Sequence, residues 1–191
     1  VGTLEGLYIL TEMGFTRAVL PRELSFDEIK YLCEHSPIDL EVFVHGALCM
    51  CVSGQCLMSA VLGSRSGNRG LCAQPCRLPF KAQKGTGHDL SLKDLSIIEH
   101  IPELSKMGVC SFKIEGRMKS PEYVGTVTRI YRKYIDKVLN PCENITNDSF
   151  SIDSQDKKDL LQVFNRGGSS FGHLLDSENK NLIYKEKPNN M

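Results

Sequence analysis

The feature that most limits how this chain can fold is the alternation of strand-like and helix-like segments between residues 4 and 139. "GLYILTEMGF" mixes apolar and polar positions in a helical way, and "TRAVLP", residues 16 to 21, reads as a short buried strand. In "SFDEIKYLCEHS", Ser25 stands three residues ahead of Glu28, the spacing of a capping box, and Phe26, Ile29, Leu32 and Cys33 recur on one face. That predicts an amphipathic helix over 26–35 with Cys33 in the core. "LEVFVHG", residues 40 to 46, is β-branched and aromatic enough for a strand, with Val42 and Val44 on one face and Glu41, Phe43 and His45 on the other. A long loop leads to a short strand within 90–95, a helix from about 96 to 107 closed by Gly108, and a strand "SFKIEG" at 111–116. "SPEYVGTVTRIYRKYIDKVLN" follows as a helix with Ser120 as N-cap, Pro121 in its first turn, and an apolar stripe of Tyr123, Val127, Ile130, Tyr131, Tyr134 and Val138.

This order implies an α/β fold of βα units on a parallel sheet, open or closed into a barrel, with right-handed crossovers. Residues 1–140 are expected to form that unit, 141–157 a polar linker, and 158–191 the start of a smaller C-terminal domain. Beginning at Val1 and stopping in "IYKEKPNNM", the sequence reads as a piece of a longer chain.

With 41% hydrophobic and 24% charged residues, the composition is that of a globular protein. No apolar run reaches the roughly 18 residues that a membrane span needs, and no secretion signal is visible, so the expected location is cytoplasmic. Lys plus Arg and Asp plus Glu both number 23, so the net charge gives no hint of a polyanionic partner. The distribution is less even. Between Glu41 and Asp89 no acidic residue occurs, while Arg65, Arg69, Arg77, Lys81 and Lys84 all lie there, which points to a local anion site.

The same interval holds a glycine-rich loop, residues 46–80, with Cys49, Cys51, Cys56, Cys72 and Cys76. It leaves the C-terminal end of a strand, where α/β folds place their reacting groups. Disulfides suit an oxidising compartment better than a cytoplasmic one. Structural zinc favours C-x2-C knuckles, whereas here the pairs are Cys49-x6-Cys56 and Cys72-x3-Cys76. An iron–sulfur cluster tolerates looser spacing. A lone catalytic thiol leaves the other cysteines without a role, and small buried filler fits poorly in a loop with this much glycine. Lys113, Glu115 and Arg117 share one face of the 111–117 strand, where Lys113 and Arg117 would hold a carboxylate or phosphate, or where Lys113 and Glu115 would form a structural network. His45 is expected at the same strand-end face, for proton transfer or as a hydrogen-bonded structural residue. A metalloprotease would need a helical H-E-x-x-H, which is absent.

"EVFVHGALCMCVSGQCLMS", Glu41 to Ser59, resembles the signature of the U32 family of collagenase-like peptidases, E-x-F-x-x-G-[SA]-[LIVM]-C-x4-G-x-C-x-[LIVM]-S, at every fixed position. "SRSGNRGLCAQPCRLPF", "SFKIEGRMKSPEYV" and "FNRGG" also resemble family blocks. The resemblance implies a TIM-like barrel whose first strands are missing, followed by the start of a C-terminal domain. It also implies a [4Fe–4S] cluster on Cys49, Cys56, Cys72 and Cys76, with Cys51 outside the set and Cys110 as a rival fourth ligand. Cys110 falls at the N-terminal end of its strand, far from the cysteine loop, which argues against it. Family members are described as collagenolytic peptidases or as iron–sulfur proteins supporting hydroxylation of rRNA, tRNA or ubiquinone precursors, with prephenate as an associated hydroxyl donor. The expected function is therefore cluster-supported hydroxylation of a nucleobase in rRNA or tRNA. His45 and Glu115 would be catalytic, and Arg65, Arg69, Arg77, Lys113 and Arg117 would bind substrate. The alternatives are a peptidase acting on a peptide substrate, with a thiol paired to His45, and a non-catalytic cluster-bearing scaffold.

Overall fold

The computed structural model describes residues 1–80, 85, 87–117, 119–140, 150–175 and 182–183. Lys81 and Lys84 of the basic segment, and residues 141–149 of the expected linker, lie outside the described residues.

The first half follows the local signals. α1 (Leu4–Glu12) is capped by Thr3, whose hydroxyl accepts from the Gly6 N–H. β1 (Arg17–Val19) is followed by α2 (Phe26–His35), where the capping box closes in both directions: Ser25 Oγ accepts from the Glu28 N–H, and Glu28 Oε2 accepts from the Ser25 N–H at 2.7 Å. Phe26, Ile29 and Leu32 are buried, and Cys33 packs partly buried against them. β2 (Asp39–Gly46) is the central strand. A short helix, α3 (Met58–Gly63), and two 3-10 turns at Gly67–Arg69 and Pro75–Arg77 sit within the cysteine loop.

β3 (Asp94–Ser96) leads into a 3-10 turn, Ile98–His100, and α4 (Ile101–Lys106). The helix expected over 96–107 is thus shorter at its start. Pro102 has no N–H and its ring would clash one turn back in a longer helix, so regular α geometry begins where Pro102 falls in the first turn. β4 (Ser111–Ile114) precedes α5 (Pro121–Leu139), which buries Tyr123, Val127, Ile130, Tyr131 and Tyr134 as its stripe predicts. Each such side chain withdrawn from water contributes about 1.5–3 kcal/mol. α6 (Ser154–Val163) and β5 (Ser169–Ser170) complete the described elements.

β2 pairs in parallel with β1 on one side, through Arg17↔Asp39 to Val19↔Glu41, and with β4, through Glu41↔Ser111 to Phe43↔Lys113. The sheet as a whole is mixed. β3 runs antiparallel to the end of β2, with His45↔Ser96 and Gly46↔Leu95 in register, and β5 pairs in parallel with β3. A purely parallel sheet would need a crossover helix packed on it between β2 and β3. Among the described residues the one α-helix there, α3, has six residues and leaves Val61 and Leu62 exposed, and β3 runs back antiparallel to the end of β2.

The segment expected to open a second domain is joined to this core. α6 packs on α5, Leu160 belongs to the same apolar cluster, and Tyr134 and Lys133 of α5 both donate to Asp156 Oδ2, at 2.7 and 2.6 Å. Among the described residues no helix is long and apolar enough to cross a membrane.

Candidate functional site

The cysteine loop leaves β2 at Gly46, whose φ of +115° suits only glycine and whose missing Cβ would stand 2.6 Å from the Glu115 carbonyl oxygen. This close approach brings the end of β4 against the start of the loop. Arg77 then pins the loop from below. It is 2% exposed, and its guanidinium donates to Leu48 O at 2.7 Å, to Ser91 Oγ at 3.2 Å and to Leu92 O. Ser59, also buried, accepts from the Ala73 N–H at 2.9 Å, and Asn68 Nδ2 donates to Gly54 O at 3.0 Å, so the two halves of the loop are tied across the middle.

These ties enclose a cleft of about 400 Å³. Cys49, Cys56, Cys72 and Cys76 all line it, together with Arg22, Phe43, Glu115, Arg117 and Lys119. Two of the sulfurs receive backbone donors: Gln74 N–H to Cys72 Sγ at 3.3 Å, and Cys51 N–H to Cys49 Sγ. Gln74 holds a left-handed φ of +56°, a strained backbone placed between Cys72 and Cys76, where strain commonly accompanies function. Burial pushes the Cys49 and Cys76 thiols up, so both are protonated in water and would lose a proton on binding a metal. Among the described residues no three His, Cys, Asp or Glu side chains converge on a single metal ion. Four thiols spread round one cleft suit a group with a ligand at each of four corners.

The other residues singled out from the sequence fall into different places. Glu115 lines the cleft, but both its oxygens are engaged: Oε2 accepts from Arg22 Nη2 at 3.2 Å and Oε1 from the Arg117 N–H at 2.9 Å. Arg117 is exposed at the cleft, its guanidinium against Gly70. Lys113 does not line the cleft and pairs with Glu41 at 2.8 Å, with Ser111 Oγ donating to the other Glu41 oxygen, so the Lys113 network involves Glu41 rather than Glu115. Arg65 and Arg69 are exposed and do not line the cleft, and Arg65 Nε is held by Leu71 O at 2.8 Å. Arg77 is spent on the loop's carbonyls rather than presented to a substrate. Cys110 lies at the far end of β4 and donates to Leu40 O at 3.1 Å, and Cys51 also stays outside the cleft.

His45 is displaced most. Alternation puts it beside Glu41 and Phe43, but the β2–β4 register skips Val44, pairing Phe43 with Lys113 and then His45 with Ile114. This bulge turns His45 to the opposite face, against Tyr123 and Tyr131 of α5. It is 5% exposed, its Nδ1 is 3.3 Å from Tyr131 Oη, and Tyr131 donates to Val44 O at 2.8 Å. Burial holds its pKa down to about 4, so the ring is neutral. It lines a separate cavity with Asp94 and Ser96.

Arg22, Lys119 and the buried pair Asp94–Arg166, 3.2 Å apart, were not anticipated from the sequence. Arg22 lies outside the basic interval, and nothing local marks it. Arg166 belongs to the "FNRGG" block, in which Asn165 Oδ1 accepts from the Gly167 and Gly168 N–H groups and fixes the turn that delivers Arg166 to Asp94. "GSSFG", residues 168–172, matches the G-x-S-x-G spacing of a serine-hydrolase elbow. However, Ser170 ends β5 ahead of a turn rather than a helix, and its Oγ accepts from the Gly172 N–H.

The family model described as peptidase family U32 matches residues 1–183. The chain belongs to peptidase family U32. Among U32 relatives, it is 36% identical over 184 residues to the 23S rRNA 5-hydroxycytidine C2501 synthase of Escherichia coli, covering 90% of this chain and 27% of that protein. It is 37% identical over 183 residues to tRNA hydroxylation protein P1 of Bacillus subtilis, covering 87% and 43%. A collagenase of Porphyromonas gingivalis is 39% identical over 169 residues, covering 78% and 40%. The chain thus spans less than half the length of these relatives. No solved structure matches it.

Proposed function

We propose that this chain is the cluster-bearing part of a U32 enzyme that takes part in hydroxylating a nucleobase of rRNA or tRNA. Cys49, Cys56, Cys72 and Cys76 would hold a [4Fe–4S] cluster. The observation that carries this reading is that these four thiols, from two separate stretches of the loop, line one cleft whose wall carries Arg22, Arg117 and Lys119. Relatives named for rRNA and tRNA hydroxylation support the substrate class. In this reading β1, β2 and β4 are neighbouring parallel strands of a TIM-like barrel, with the cysteine loop at their C-terminal ends.

Bound at the thiols, the cluster would supply one-electron transfer. The chain's own residues would do the rest. Arg77 holds Leu48, and through it Cys49, in place. The Cys51 and Gln74 N–H groups donate to sulfur and favour the thiolates. Arg117 and Lys119 offer cationic groups to an RNA phosphate or to a carboxylate donor such as prephenate.

The collagenase among the relatives makes proteolysis the second reading. A cysteine–histidine dyad is not assembled for it: His45 faces α5 and lines a cavity other than the one the thiols line. Iron and sulfide analysis of the anaerobically purified full-length protein tests the first reading, and stoichiometric zinc without iron would sink it. Mass spectrometry of rRNA and tRNA from a deletion strain should then show one hydroxylated nucleoside missing. A cluster-bearing scaffold would instead load iron, show no turnover alone and co-purify with a catalytic partner.

A further inference from the structure

The cations of the cleft are not equivalent. Arg77 is committed to backbone carbonyls, Arg117 rests against Gly70, and Lys119 Nζ stands 2.8 Å from the Phe164 ring centroid. Arg22 is held on two sides. Its guanidinium carbon lies 3.7 Å over the centroid of Phe43, and Nη2 is 3.2 Å from Glu115 Oε2, with the Arg22 side chain 15% exposed. Glu115 is itself fixed, since its second oxygen accepts from the Arg117 N–H. The pair therefore cannot swing into solvent without breaking both the stack and the ion pair. A second carboxylate nearby, Glu23, accepts from the Ser53 N–H and hydroxyl at Oε1, at 2.7 and 2.9 Å, and its Oε2 is buried without a hydrogen-bond partner. Arg22 and Cys49 line the same cleft and lie within electrostatic reach of each other.

We infer that Arg22 and Glu115 form a fixed charge pair that sets the reduction potential of the group held by Cys49, Arg22 raising it and Glu115 lowering it. The inference rests on the cluster reading above. Reduction adds one negative charge to a thiolate-ligated cluster, so a rigid cation beside one ligand favours the reduced state and a rigid carboxylate opposes it. Both are positioning residues, acting through the field at Cys49 rather than on a substrate.

The test is a redox titration of the anaerobically loaded full-length protein, followed by electron paramagnetic resonance of the reduced cluster. Arg22→Gln should shift the midpoint to more negative values and Glu115→Gln to less negative ones, while Arg22→Lys stays near wild type. Glu115→Gln keeps one oxygen to accept from the Arg117 N–H, while its NH2 faces the Arg22 Nη2 donor, so the carboxylate charge and its bond to Arg22 are removed together. Loss of folding would not produce shifts of opposite sign. If Arg22→Gln fails to load, Glu115→Gln alone decides: a shift to less negative values supports the inference, and no shift or a more negative one overturns it. Loaded Arg22→Gln and Glu115→Gln proteins whose potentials equal the wild type, or move in the same direction, overturn the inference and leave the cluster intact. A wild-type protein without iron overturns the cluster reading itself, and this inference with it.

Discussion

The guanidinium of Arg117 lies against Gly70, in the space that a Cβ at residue 70 would need. Gly70 also holds a φ of +74°, so the glycine is required twice, by its backbone and by its neighbour. Gly70→Ala is expected to lower stability by about 1–2 kcal/mol from the left-handed backbone alone, and to push Arg117 out of its seat. Denaturant titration reads the first effect. The second should appear as weaker RNA binding than wild type, with a shallower salt dependence, and Arg117→Gln should reproduce it without the loss of stability.

Arg77 is predicted to be structural. Arg77→Met would leave the carbonyls of Leu48 and Leu92 buried without their donor, and each such group costs about 1–3 kcal/mol. Urea denaturation should show a loss of roughly 2–5 kcal/mol, given those penalties. A surface arginine engaged only with substrate would show almost none.

Cluster loading separates the cysteines. Single replacements of Cys49, Cys56, Cys72 or Cys76 by serine should each remove most of the bound iron. Cys51→Ser and Cys110→Ser, both outside the cleft, should retain it. Iron and sulfide content of the six anaerobically purified variants is the measurement, and full retention by any of the first four would remove that residue from the ligand set.

His45 gives a pH dependence of stability. Its folded pKa is about 4 against an ordinary value of 6.5, so the unfolded chain binds the proton more readily across that interval. The stability from keeping the ring neutral is fully present above pH 6.5 and is lost as the pH falls towards 4, up to about 3 kcal/mol. His45→Gln should flatten that part of the wild-type curve when the two proteins are compared by chemical denaturation between pH 4 and 7.

Lys119 titrates in the opposite sense for binding. Burial first, then the like charge of Arg166, brings its pKa down to about 8, against an ordinary 10.5. The amine is cationic below that value and neutral above it, so affinity of the cleft for anions should fall as the pH rises from 7 to 9. Lys119→Arg should remove this fall, and inorganic phosphate binding followed by calorimetry would show whether it does.

Much of this protein was legible locally. The Ser25–Glu28 box, the Ser120–Pro121 start and the tyrosine stripe of α5 each depend on contacts within a few residues, and those are written directly in sequence spacing. The cysteine-rich loop was legible as a loop for a related reason, since the strand before it and its glycines are local features. The face of His45 was not legible, because a bulge is decided by how β2 and β4 fit side by side. Nor was the antiparallel return of β3, which is decided by how β3 and the end of β2 pair across a long loop.

By itself the sequence determined the elements, their caps, and which cysteines belong to one loop. Only the tertiary structure decided which charges meet. It spent Arg77 on carbonyls, paired Glu115 with Arg22 across 93 positions, and joined Asp94 to Arg166 across 72. Short-range geometry is set by bonds and spacing. The partner of a buried charge is set by whichever opposite group the packed core brings within about 4 Å, and no local pattern encodes that.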